Sequence, residues 1–260
     1  MKIRKGVLYL LVGVFWVTNS SAQIDTTYIQ NLSDLLSIKV SVNNEIEGFD
    51  LQINGLEYEL FPNTSINNSY SISYRFLTLS FGFAPKGIDF NNDSDEKGNT
   101  VSSSIGTEIR KGRIVQSFEF KKVKGYYLRN TDKFLDGWNH GDPYILYPDL
   151  NYIEYSGITL VKIKPNLSLA SLTAANTRQL KSIYSFVPNL FYRYSIIDDQ
   201  SVIAQGDTTQ KSNNFDLSIS PGFVNTFVYN EKFYLSTGFF PGIGRRSEEH
   251  TSELQSPDHL

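Results

Sequence analysis

Few side chains in this sequence could do chemistry, and they are scattered. There is no cysteine, so disulfides and thiolate metal sites are out. The histidines are His140, His250 and His259. His140 stands in Trp138-Asn139-His140-Gly141-Asp142. A histidine there could take the proton of a serine nucleophile, as lipid-cleaving and acyl-transferring enzymes require. No nucleophile elbow accompanies it, and its polar neighbours read as an exposed loop. Asn91-Asn92-Asp93-Ser94-Asp95-Glu96-Lys97-Gly98 is rich in oxygen ligands. In a calcium loop, Asp93 and Asp95 would be the first two ligands and Gly98 the turn. Lys97 sits where a third oxygen belongs, and Ser104 replaces the bidentate glutamate, so a solvated turn explains the composition better. Lys121, Lys122 and Lys124, with Arg110, Lys111 and Arg113, could meet lipid phosphates or simply edge a strand. No phosphate-binding Gly-x-x-x-x-Gly-Lys-Ser/Thr loop occurs. The expected catalytic, cofactor and metal residues are therefore none.

The two ends are unlike the rest. Lys2, Arg4 and Lys5, an apolar run from Val7 to Val17, and Ser20, Ser21 and Ala22 make residues 1–22 a signal peptide. Residues 246–260, RSEEHTSELQSPDHL, resemble a translated sequencing adapter and are expected to lie outside the native fold. The folded domain is then 23–245, incomplete at its C-terminus, and His140 is its one histidine. A net charge of −3 gives no footprint for nucleic acid. Mean hydropathy of −0.27 excludes a helical membrane bundle. It does not exclude strands whose alternate residues face lipid.

Period-2 alternation dominates the middle of the chain. Leu36, Ile38, Val40 and Val42 alternate with polar residues, as do Phe49, Leu51 and Ile53. Asn54-Gly55 is a strong hairpin signal, pairing Ile53 with Leu56, Leu51 with Tyr58 and Phe49 with Leu60 on one apolar face. The parity switch between Tyr70, Ile72 and Tyr74 and Leu77, Leu79, Phe81 and Phe83 predicts a tight turn near Arg75-Phe76, or a bulge in one long strand. Turns are also expected at Lys111-Gly112 and Asn230-Glu231. The count is about ten strand segments, near the roughly 10-residue length of outer-membrane strands. Short connections at 54–55, 111–113 and 230–232 contrast with long polar ones at 85–100, 130–149 and 198–213.

Tyr70, Tyr126, Tyr127, Tyr144, Tyr147, Tyr152 and Tyr155 fall near strand ends, as a membrane-interface girdle would place them. The predicted fold is all-β, an antiparallel up-and-down transmembrane β-barrel, with a soluble β-sandwich as the alternative. Gln52, Glu57, Glu59, Glu108, Glu119, Arg193 and Asp216 are the expected inward-facing polar residues. Asp25-Thr26-Thr27 and Asp207-Thr208-Thr209 are weak matches to O-glycosylation sites.

The segments DTTYIQNLSDLLSIKV, YELFPNTSINNSYSISYRFLTLSFGF, FKKVKGYYL and YILYPDLNY resemble a family of exported proteins from Bacteroidota, domain of unknown function family 4421. The resemblance spans roughly residues 25 to 244 and rests on short structural motifs. It implies an outer-membrane barrel in a Gram-negative cell and assigns no catalytic residue. The expected role is a structural or passive transport component, not an enzyme, with outer-membrane lipid and the barrel-insertion machinery as partners. A bound small molecule is left unspecified. An outer-membrane lipid-modifying enzyme using His140 and a soluble periplasmic ligand-binding β-domain are the alternatives.

Overall fold

The computed structural model describes residues 25–44, 48–53, 55–86, 93–169, 176–199 and 210–252. The expected signal peptide, Asn54 and Asp207-Thr208-Thr209 lie outside them. Strands run β1 (Ile29–Asn31), β2 (Ser37–Asn43), β3 (Phe49–Ile53), β4 (Leu56–Phe61), β5 (Asn67–Tyr74), β6 (Leu77–Phe83), β7 (Val101–Lys111) and β8 (Ile114–Leu128). They continue with β9 (Leu146–Val161), β10 (Thr177–Gln179), β11 (Ile183–Asp199), β12 (Gln210–Tyr229), β13 (Phe233–Phe239) and β14 (Ile243–Ser252). One short helix, α1 (Ser94–Lys97), precedes β7.

The fold is all-β. A 12-stranded sheet follows the order β2-β5-β6-β7-β8-β9-β11-β12-β13, with β14 also on β12. Every pairing along this path is antiparallel. β13 and β14 keep a single register against β12, from Tyr229↔Phe233 to Gln210↔Ser252. The break between them falls where Pro188 opposes Pro221 and Pro241 comes next across the sheet. Proline has no N–H to donate, so the ladder lapses there.

The turns at Arg75-Phe76, Lys111-Gly112 and Asn230-Glu231 form as expected. Arg75 (φ 51°), Gly112 (φ 59°), Asn230 (φ 50°) and Glu231 (φ 55°) supply the left-handed backbone such turns need. The β3–β4 register also matches, residue for residue. Its place in the fold differs. The hairpin is an insertion between β2 and β5, joined to the main sheet only through Leu60↔Leu128 and Phe61↔Tyr127 of β8. The 54–55 turn therefore belongs to a long connection. The β9–β11 connection, at the end of the tight turns, is also long.

The main sheet exposes its apolar face and shelters its polar one. Ile38, Val40, Ile72, Leu79, Phe81, Ile105, Phe118, Leu190, Leu217, Phe223, Phe227 and Leu235 share one face and are exposed. Ser73, Thr78, Ser102, Lys121, Glu154, Asn189, Ser195, Ser220 and Thr226 share the other and are buried. The polar face is sheltered because apolar covers close both of its ends. At the tight-turn end, Val115, Ile183, Val187 and Val224 pack on Leu167 and Leu169 from the β9–β11 connection, with Tyr28 alongside. At the other end, Val123, Tyr152 and Ile197 pack with Leu60, Tyr126, Leu128 and Leu150, and with Phe49, Leu51 and Tyr58 of the hairpin.

Residues 246–252, expected to stand outside the fold, ladder onto β12 as part of β14. Backbone pairing needs no particular side chain. The apolar face stops there: Ile219 faces Ile243, but Leu217 faces Arg245 and Phe215 faces Ser247.

Candidate functional site

The chemically capable side chains lie on the sheltered face, between the two apolar covers. Strand register brings them together. Lys121 of β8 opposes Glu154 of β9, which in turn opposes Ser195 of β11. One step along β11, Arg193 opposes Asp216 of β12, and Asp216 opposes Arg246 of β14. Opposite charges directly across an antiparallel pair stabilise each other. Arg193 donates to Asp216 Oδ2 from Nε at 2.9 Å and from Nη2 at 2.7 Å. Arg246 Nε donates to Asp216 Oδ1 at 2.7 Å. Arg193 Nη1 lies 3.8 Å from Glu154 Oε2, which also accepts from the Tyr152 hydroxyl at 2.5 Å. The result is a cross-strand network of paired charges with Ser195 beside it, and no histidine joins it among the described residues. Its chemistry is electrostatic: it can hold shape, or it can hold an ion.

A second group lies on β7 and β8, nearer the tight turns. Arg110 is ion-paired with Glu108, and Ser117 Oγ donates to Glu108 Oε2 at 3.3 Å. Lys162, just after β9, donates its backbone N–H to the Arg113 carbonyl and thereby extends the ladder. Burial, aided by the Arg110 charge, holds the Lys162 amine below the usual lysine range. From β5 to β7 the sheltered face is lined with hydroxyls. Ser71 and Ser80 are 2.8 Å apart, as are Ser73 and Thr78. Glycine completes this wall at Gly82, where an added Cβ would lie 2.5 Å from Ser104 Oγ. The small side chains leave a partly open cavity of about 350 Å³.

Of the expected inward residues, Glu108, Glu119, Arg193 and Asp216 are on this face, and Glu119 is exposed there. Gln52, Glu57 and Glu59 are not. They lie on the polar side of the β3–β4 hairpin, where Glu59 accepts from Arg129 Nε at 2.7 Å. The apolar side of that hairpin turns inward instead, as the cover requires.

The basic residues do not form one patch. β7 and β8 run antiparallel, so Arg110 opposes Val115 at one end and Val101 opposes Lys124 at the other. Lys121 is buried while Lys122 and Lys124 are exposed on the opposite face. Lys124 pairs with Asp149 at 2.9 Å.

His140 is exposed, in a tight loop where Asp142 Oδ2 accepts from the Asn139 N–H at 2.9 Å. No hydrogen bond joins it to a serine among the described residues. At the calcium candidate, Lys97 pairs with Asp93, closing α1 on itself. Burial would raise the Asp93 pKa, but the Lys97 ammonium outweighs it and the carboxyl stays below the usual range. Among the described residues no three His, Cys, Asp or Glu side chains gather as a metal site requires. Asp25 Oδ1 accepts from the Thr27 N–H at 2.9 Å, an ordinary Asx turn.

Sequence reasoning missed Glu154, Tyr152 and Arg110 as interior groups. It also read Lys121 as part of a surface patch. Parity counted along β8 would have separated Lys121 from Lys122.

The chain matches the family described as Domain of unknown function (DUF4421) over residues 23–257. It belongs to that family. The DUF4421 match reaches past β13 and takes in β14, as the ladder on β12 does. No curated protein and no solved structure matches the chain.

Proposed function

We propose that this DUF4421 protein is a β-barrel of the outer membrane, acting as a structural or passive transport component without catalysis. One observation carries the reading: the large apolar side chains of the main sheet face out, while Ser73, Thr78, Ser102, Lys121, Glu154, Ser195 and Ser220 are buried on the other face. Water opposes such an outer face, and hydrocarbon accepts it. A soluble sandwich would bury that face against a second sheet, and none covers it among the described residues. Strand length agrees. β7 through β12, apart from the short β10, have between 11 and 20 residues, and a tilted membrane strand needs about 9–11.

Strand direction sets what closure would require. Nine strands lie along the main path and each runs against its neighbour, so β2 and β13 run the same way. A single strand antiparallel to both would close the barrel with ladders on every edge.

The test is fractionation of cells, followed by electrophoresis with and without boiling. Outer-membrane recovery and a band that shifts on heating are expected, because a closed ladder resists detergent until heated. Recovery in the soluble periplasmic fraction, with no shift, would overturn the reading in favour of a soluble ligand-binding β-domain.

A further inference from the structure

We propose that the cavity behind β5 to β8 binds a small oxyanion, a carboxylate or a phosphate, through the Arg110 guanidinium. The inference goes beyond the membrane reading and does not depend on it, because the same cavity would serve a soluble domain.

The first observation is an unsatisfied donor set. The Arg110 side chain is 14% exposed, and its ion-pair partner among the described residues is Glu108. Its Nε and Nη1 atoms are buried and reach no acceptor. A buried charged donor without an acceptor is destabilising by more than about 1–3 kcal/mol, and such groups in folded proteins have an unseen partner. Either edge of the guanidinium, Nε with Nη2 or Nη1 with Nη2, can donate to an oxyanion.

The second observation is charge. Lys162 is close enough to Arg110 for the two cations to disfavour each other, and no carboxylate pairs with it among the described residues. Around the cavity itself, Lys39, Arg110 and Lys121 outnumber the carboxylates Glu108 and Glu119. An added anion removes the imbalance; an added cation would worsen it.

The third is the shape and chemistry of the wall. The cavity, about 350 Å³, admits a small solute. Ser71, Ser80, Ser102, Ser104 and Ser117 offer hydroxyls along it. Phe81, Phe83 and Phe118 also border it, but their side chains are exposed on the other side of the sheet. A bare sugar ring therefore lacks its usual stacking platform, and an acid bearing hydroxyls has partners at every point.

The experiment is calorimetric titration of the full chain in detergent, at fixed ionic strength, with inorganic phosphate and separately with acetate. Saturable one-to-one uptake of at least one anion is expected. Phosphate alone would identify a phosphorylated solute, and acetate alone a carboxylic acid. Arg110→Gln should weaken the uptake at least tenfold and Lys162→Gln several-fold, with circular dichroism unchanged. Should Arg110→Gln fail to fold, Lys162→Gln decides, and unchanged affinity there overturns the proposal. So does a folded native chain that takes up neither anion. The heat-shift assay reads the barrel independently, so the two proposals fail separately.

Discussion

Single residues set which way the interior points. Gly125 interrupts β8 with φ +90° and shifts its register against β9 between Lys124 and Tyr126. Before it, Lys121 and Val123 face inward; after it, Tyr126 and Leu128 do. A Cβ there would sit 2.2 Å from the Asn99 carbonyl oxygen. Thr100 Oγ1 donates to the Gly125 carbonyl and accepts from the Asn63 N–H, each at 2.7 Å. Gly125→Ala should destabilise by about 1–3 kcal/mol for the backbone conformation alone, read as a lower urea midpoint in detergent. Lys162 yields a pH prediction. Its folded pKa lies below the unfolded one, so burying its charge weakens the fold fully at neutral pH. That penalty fades as pH rises through the depressed value toward the ordinary lysine range. Lys162→Met should therefore be more stable than the native chain at pH 7, with the difference vanishing in alkaline solution. A constant difference across pH would show that the charge is not the cause.

The elements were unequally legible. β5, β6 and β7 alternate cleanly because one face is small and polar and the other apolar. β9 did not read as a strand. Leu150, Tyr152, Ile153, Tyr155, Ile158 and Leu160 put apolar residues on both faces. The physical reason is that the ends of its inner face pack on the covers, at Leu150 and Tyr152 on one side and Leu160 on the other. The start of β11, with Ile183 and Val187 inward, was hidden in the same way. One cover, the β3–β4 hairpin, alternates as a strand pair does; residues 163–169 of the other carry no strand-like pattern. Gln179, 1% exposed, holds the one at the tight-turn end. Its Oε1 accepts from the Ser168 N–H at 2.9 Å, and its Nε2 donates to the Tyr28 and Asn166 carbonyls at 3.0 and 3.1 Å. Gln179→Ala leaves these groups unpaired at about 1–3 kcal/mol each. The amides of Tyr28, Ser168 and Leu180 should then exchange with deuterium faster, while those of β11 and β12 do not change. In planar bilayers the native protein should conduct little, and this variant should show more frequent openings. Steady native conductance would mean that the covers do not seal the interior.

At the scale of the whole molecule, the inverted faces make an opposite prediction from ordinary surface rules. Leu79 is exposed at the middle of β6, and in water an arginine there would be harmless or would aid solubility. Facing the centre of a bilayer, Leu79→Arg should destabilise by about 2–4 kcal/mol and lower the temperature of the heat-dependent band shift. A soluble β-domain would show no loss, so this one substitution separates the two readings. The apolar belt runs from Ile38 on β2 to Phe239 on β13 and breaks after Ile243. From Arg245 onward the residues of β14 offer the belt nothing apolar, in keeping with their separate character in the sequence.

The sequence alone determined the strand class, most hairpin registers and the polarity of each face. Those depend on neighbours in the chain, on turn chemistry at Arg75-Phe76, Gly112 and Asn230-Glu231, and on a period of two. Tertiary structure alone decided which face is sheltered, that the β3–β4 hairpin and residues 163–169 close its ends, and that Arg110, Lys121, Glu154, Arg193 and Asp216 share one interior. Alternation is symmetric: it separates two faces without saying which of them curls inward. That choice comes from contacts between segments far apart in sequence: the β3–β4 hairpin against β8, and Leu167 and Leu169 against Val115, Ile183, Val187 and Val224.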